Sequence, residues 1–155
     1  MNDQGKLALT QVLQWLEAGA PHVTIDNDYE ITKFDMNFAV SYYYYADDSL
    51  NDGCGTACCI AGAICQFEKL GKRDFCGLAF YGADGAGGLA QEYLGLTSLE
   101  AAKLFEPWNH FEDQFSSDYT VKRAAAVVRT FIETGVIDWD KFDEEGNLVE
   151  KAEDQ

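Results

Sequence analysis

A chain of 155 residues, 47% hydrophobic and 14% aromatic, is long enough to bury a core and too apolar to remain disordered. Its 27 acidic residues against 11 basic ones give a net charge of −16 and a sequence pI near 4.2. That balance excludes binding to DNA, RNA or anionic membranes through phosphate contacts, which need lysine and arginine. It suits a basic protein partner, a divalent cation or imitation of a nucleic acid, and a plain solubilising surface is the simplest reading. No apolar run has membrane-spanning length, no signal peptide is visible, and five clustered cysteines do not make a secreted disulfide framework. The expectation is a reduced, cytosolic protein.

Taken in order, residues 6–18 read as an amphipathic helix with Leu7, Val12, Leu13, Trp15 and Leu16 near helical spacing, stopped by Gly19 with Pro21 behind it. Val23–Ile25 and Ile31–Phe34 alternate like short strands around the acidic turn at Asp26 and Asp28, and the run from Phe38 to Tyr45 is rich in strand formers. A small antiparallel sheet within 23–45 is expected. Its Tyr42 and Tyr44 offer rigid, half-polar contact area of the kind binding surfaces use, or else alternate between core and solvent. Asp26, Asp28 and Glu30 fall short of a calcium loop, which needs a glycine at its sixth position and a bidentate acid at its twelfth.

The most specific stretch is 52–71, with four of the five cysteines. Thr56 is a good N-cap, no proline interrupts 57–70, and Gly71 sits where a helix stop places a left-handed residue. Cys58, Ala61, Gly62 and Cys65 then share a small-residue face, so 57–70 is expected to be a central buried helix approached closely by another backbone. The same residues also admit chemistry. Cys58 and Cys59 in a first turn would be favoured as thiolates by the helix dipole, and Cys54 lies close enough to act as a resolving thiol. With His110 they would supply a thiol–imidazole pair, although Cys-Gly-Thr-Ala-Cys-Cys is one residue out of step with the papain-family Cys-Gly-Ser-Cys-Trp.

Gly85, Gly87 and Ala90 match the letters of a dinucleotide fingerprint without a parallel βαβ unit around them, and no cofactor is expected. Helices follow over 89–93 and 101–105, the second preceded by the hydroxyl cap at Thr97 and Ser98 and ended by Pro107. Trp108, Asn109 and His110 form a loop cluster that can bind. Cysteines plus His110 lack the paired spacing of a zinc site, so no metal is expected. Ser116–Asp118 caps a long helix over 118–134 with Val121, Ala124, Ala125, Val128, Phe131 and Ile132 as its stripe, and Gly135 ends it. Val136–Trp139 folds back on the core, and 140–155 reads as a frayed acidic tail outside a single domain over 1–139.

Several of these segments occur together in one order: Leu16–His22, Phe34–Met36, Cys54–Gly62, Tyr93–Leu96 with Ala101–Pro107, and Phe131–Gly135 with Asp138 and Trp139. In combination the chain resembles a family of small, uncharacterised proteins encoded by bacteriophages and prophages. The resemblance implies a phage origin and the host bacterial cytoplasm, and brings no chemistry with it. The resulting expectation is a helix-dominated α+β domain acting as a non-enzymatic binder that inhibits or sequesters a host component, such as part of an anti-phage defence system. Its binding residues would be Tyr42, Tyr44, Cys54, Thr56, Trp108, Asn109 and His110, and its partner a host protein or a small signalling molecule, with no direct contact to nucleic acid or membrane. The alternatives are a thiol-dependent hydrolase using Cys54 or Cys58 with His110, and an acidic nucleic-acid mimic. Sequence sets no oligomeric state.

Overall fold

A computed structural model describes residues 1–26, 29–31, 33–36, 57–70, 86–107 and 119–150. The fold is helix-dominated α+β, as expected: five α-helices and four two-residue strands among those residues.

Helix α1 (Asp3–Glu17) starts three residues before the apolar periodicity does, because Asn2 caps it: its side-chain oxygen accepts from the Gly5 amide at 2.6 Å. The inward face carries Ala8, Leu9, Val12, Trp15 and Leu16. Gly19 (φ +89°) and Ala20 (φ +50°) turn the chain out, their amides donating back to Leu16 and Trp15 carbonyls at 2.9 Å each. Trp15 then joins three elements. Its indole N–H donates to the Pro21 carbonyl at 2.8 Å, and its ring meets Phe34 and Phe67 edge-on with centroids 6.2 and 6.1 Å away.

Strands β1 (Val23–Thr24) and β2 (Glu30–Ile31) form the expected antiparallel pair, Val23 opposite Ile31. The acidic turn is closed by Asp26, whose carboxylate accepts from the Tyr29 amide at 3.1 Å. A second pair departs from expectation: β3 (Lys33–Phe34) runs parallel to β4 (Ala57–Cys58), with Phe34 opposite Cys58. The run 38–45, expected to complete an antiparallel sheet, lies outside the described residues.

This parallel pair moves the start of the central helix. Backbone that would have formed the first turn after Thr56 is extended in the ladder, so α2 spans Ile60–Phe67 rather than 57–70, with Cys59 at its N-cap. It closes earlier as well. Lys69 (φ +54°) takes the left-handed position, with Leu70 and Lys69 amides donating to Cys65 and Gln66 carbonyls at 2.8 and 3.3 Å, while Gly71, expected to hold it, lies outside the described residues. Leu70 thereby packs on the core, and Lys69 reaches Asp26 at 2.6 Å. What remains of the helix is central: Ile60, Ala61, Ala63, Ile64 and Cys65 have no exposed surface, and α1, α3, α4, β2 and β4 all pack against it.

Helix α3 (Ala86–Leu94) crosses α1 at backbone contact. A Cβ on Gly5 would lie 2.5 Å from the Leu94 carbonyl oxygen and 2.6 Å from its Cα. Asn2 fastens the crossing, its amide donating to Leu94 at 3.0 Å and its side-chain amide to Tyr93 at 3.2 Å. Helix α4 (Ser98–Phe105) carries a reciprocal cap between Thr97 and Glu100. Helix α5 (Val121–Thr134) is capped by Thr120, three residues later than the expected start at 118, and closed by Gly135 (φ +74°). It lays Ala124–Val128 and Phe131 on the core and packs chiefly against α1.

Beyond α5 the chain folds back, as expected, to bury Trp139 in a short 3-10 turn (Trp139–Lys141). Its indole N–H donates to the Lys103 carbonyl at 2.9 Å, its own carbonyl accepts from Arg123 at 2.8 Å, and Tyr119 packs edge-on at 5.4 Å. The expectation of a frayed tail from residue 140 needs correction. Phe142 is buried and bridges Leu148 in antiparallel fashion, the Val149 amide donates to Lys141 at 2.8 Å, and Glu144 and Glu145 bond to Thr120 and Lys122 at the start of α5. Gly146 (φ +78°) lets the turn lie on α5, where a Cβ would meet the Lys122 carbonyl at 2.7 Å.

Two stability outcomes follow from this packing. Gly5→Ala should lower stability by about 2 kcal/mol or more, since backbone must shift to admit the methyl group. Gly19→Ala, at a left-handed site with open space around it, should cost only about 1 kcal/mol. Equal urea midpoints for the two variants would show that the α1–α3 crossing is not in contact. Truncation after Trp139 removes Phe142 from the core and should lower stability by about 3 kcal/mol; an unchanged melting temperature would return 140–150 to the status of a tail.

Candidate functional site

The site favoured by sequence centres on the start of α2, and its geometry is set by the ladder beneath. Strands β3 and β4 deliver Asp35 and Cys59 side by side, each one residue beyond its strand. Cys59 is extended (φ −77°, ψ −175°), and its side chain makes no capping hydrogen bond. Burial pushes its thiol pKa up, and the neighbouring Asp35 charge adds to the rise; the first-turn amides of Gly62 and Ala61 oppose both and do not prevail. Cys65, two turns on, donates its S–H to the Ala86 carbonyl at 3.5 Å. Its pKa is pushed up to about 12, first by burial and then by Cys59. Both described thiols are therefore neutral packing groups, the reverse of an activated nucleophile.

Cys58 takes a different place from the one expected. Its backbone belongs to β4, outside the helix, so the first-turn dipole argument does not apply to it. Tyr42, Tyr44, Cys54, Thr56, Trp108, Asn109 and His110 lie outside the described residues. The chain is described as far as Pro107, and there Glu106 has its carboxyl held above the usual range by burial. At the C-terminal end of α2, Tyr93 donates its hydroxyl to Glu68 at 2.6 Å, which holds the phenol above its ordinary pKa.

The juxtaposition of Asp35 with Cys59 was not legible in the sequence, because the parallel pairing that creates it joins residues 24 positions apart. Among the described residues no group of three or more His, Cys, Asp or Glu side chains could hold a metal ion. No described helix is long and apolar enough to cross a membrane. Compared with family models, with curated proteins and with solved structures, the chain finds no match in any of the three.

The protonation states make a testable pair of outcomes. In the native protein at pH 8, iodoacetamide should leave Cys59 and Cys65 unmodified, and denaturant should release both; rapid native labelling of either would overturn the burial argument. The pH dependence has a fixed sign. The folded chain keeps these protons above the usual thiol pKa, where the unfolded chain loses them, so stability must fall as pH rises from about 9 towards 12. Each thiol contributes a slope of up to about 1.4 kcal/mol per pH unit. Urea titrations of Cys65→Ala should show a shallower alkaline limb than wild type.

Proposed function

We propose that the protein is a phage accessory protein acting as a non-enzymatic binder, which inhibits or sequesters a host component of an anti-phage defence system in the bacterial cytoplasm. The observation that supports this reading is the state of the thiols at α2. The helix start that would have activated a cysteine instead buries Cys59, raises its pKa and places a carboxylate beside it. Such an environment suits core packing and opposes thiolate chemistry. The acidic surface supports the same reading, since a net charge of −16 favours a basic partner and accelerates its encounter. The resemblance to phage and prophage proteins supplies the biological setting.

Capture from host lysate by the tagged full-length chain tests the proposal. One host protein or small signalling molecule should be retained at near-equimolar amounts, unaffected by nuclease, and retained equally by Cys58→Ser and Cys58→Ala. Retention that survives in those variants while the biological effect is lost would hand the function to a thiol-dependent hydrolase. Retention abolished by a modest rise in salt, on a partner that normally binds DNA or RNA, would hand it to nucleic-acid mimicry.

A further inference from the structure

The C-terminal segment is closed on itself more fully than it is tied to the helices. Six hydrogen bonds have both partners within 141–149. The Val149 amide donates to the Lys141 carbonyl at 2.8 Å, the Asp143 amide to Asn147 at 2.9 Å and the Gly146 amide to Asp143 at 3.0 Å. The Asp143 carboxylate accepts from the Asn147 and Glu145 amides at 2.8 and 3.0 Å, and from the Asn147 side chain at 3.3 Å. Of these nine residues only Phe142 is buried and Gly146 half-buried; the other seven are exposed.

The ties to the body converge on one place. The Thr120 hydroxyl donates to the Glu144 carbonyl, Lys122 pairs with Glu145, and Gly146 lies on the Lys122 carbonyl, all at the start of α5. Both side chains of the ion pair are largely exposed, so water weakens it. Phe142 is the apolar anchor.

The body has closures of its own that do not use the segment. Thr120 caps α5 by accepting from the Arg123 amide at 3.1 Å. Trp139 is fastened separately, its indole N–H to Lys103 and its carbonyl to Arg123. Asp140 and Lys141, between Trp139 and Phe142, are exposed, and the chain can pivot there. Charge favours release as well. Residues 140–150 carry five acids and one base, a net −4, against −12 for the rest of the chain.

We infer that 141–149 is a latch: it swings off the start of α5 while the helical body stays folded, uncovering Phe142 and Lys122. A segment whose own hydrogen bonds travel with it, and whose hold on the body rests on one buried side chain, opens at lower free energy than the whole domain. The inference does not depend on the protein being a binder.

Two reporters read the opening in the full chain. In Phe142→Cys, iodoacetamide at pH 8 reaches the thiol at position 142 when the segment undocks and reaches Cys65 when the body unfolds; peptide mapping separates the two. With Phe142 in place, trypsin cleaves after Lys141 through the same opening, because in the closed form the Lys141 carbonyl is bonded to Val149 and Phe142 is buried. Position 142 should be labelled at least about 100-fold faster than Cys65. Ile60→Val, a truncation in the buried face of α2, destabilises latched and unlatched forms alike. It should speed Cys65 labelling about three- to tenfold and leave both labelling at 142 and initial cleavage after Lys141 unchanged. Acceleration of either by the same factor as Cys65 would mean that the segment opens only when the domain unfolds, and would overturn the inference. Protection of position 142 equal to that of Cys65 would overturn it too.

Discussion

The contact between Gly5 and Leu94 is the constraint on which the remaining packing depends. Helix α1 touches α2, α3 and α5, so its position sets where three other helices lie. At Gly5 the spacing to α3 is fixed by backbone atoms alone, with no side chain between them. Asn2 makes the crossing polar-complete. It satisfies an unpaired first-turn amide of α1 through its side-chain oxygen and two last-turn carbonyls of α3 through its amides. One residue thus resolves orphan groups at the ends of two helices. With α1 and α3 locked at that distance, α2 fits against both with small and branched residues, which explains why its inner face needs nothing larger than isoleucine.

A second fastening lies at the opposite end of the chain. Trp139 joins α4, through Lys103, to α5, through Arg123, while its ring fills the space beside Tyr119. Four of the five described helices end by the same local device, a left-handed residue after the last turn, while α4 ends at Glu106 before Pro107, and that residue is not always glycine. Gly95 and Gly135 adopt it without strain. Ala20 and Lys69 adopt it at a cost of roughly 1 kcal/mol each, because a Cβ crowds the following carbonyl in that region. Lys69 has compensation in its pairing with Asp26, and Leu70 gains contact with the core. Tertiary packing outweighs local preference at both places.

How much of this was legible in the sequence follows from the range of the forces involved. The Thr97–Glu100 cap, the Gly19 and Gly135 stops, the periodic faces of α1 and α5 and the return of Trp139 are all written within a few residues of where they act. The beginning of α2 is not. Thr56 is chemically a better cap than Cys59, and only the pairing of Phe34 with Cys58 keeps the intervening backbone extended. Nothing near residue 57 announces a partner at residue 33. The stretch 140–150 misled for another reason: its acids dominate composition, whereas Phe142 and the Asp143–Asn147 turn decide its structure. The candidate site was chosen by residue type, tyrosines, thiols and an imidazole, and residue type does not fix environment. Cysteines at a helix start become nucleophiles or packing groups according to burial, a property the chain acquires only when β3, β4 and α2 meet.

The acidity and the stability of this fold are therefore separable. The exposed ion pair between Lys122 and Glu145, with side chains 66% and 65% exposed, contributes at most about 1 kcal/mol to holding the C-terminal segment on α5. Burying a phenylalanine such as Phe142 contributes about 2–3 kcal/mol, and the backbone bonds around Asp143 and Val149 add to it. Six acids within fifteen residues repel one another over a range set by salt, about 8 Å at physiological ionic strength. The apolar anchors are what oppose that repulsion. Asp143 is tied into the turn by its hydrogen bonds and Glu145 pairs with Lys122, so burial and these local bonds together hold the segment against the repulsion of its remaining exposed acids.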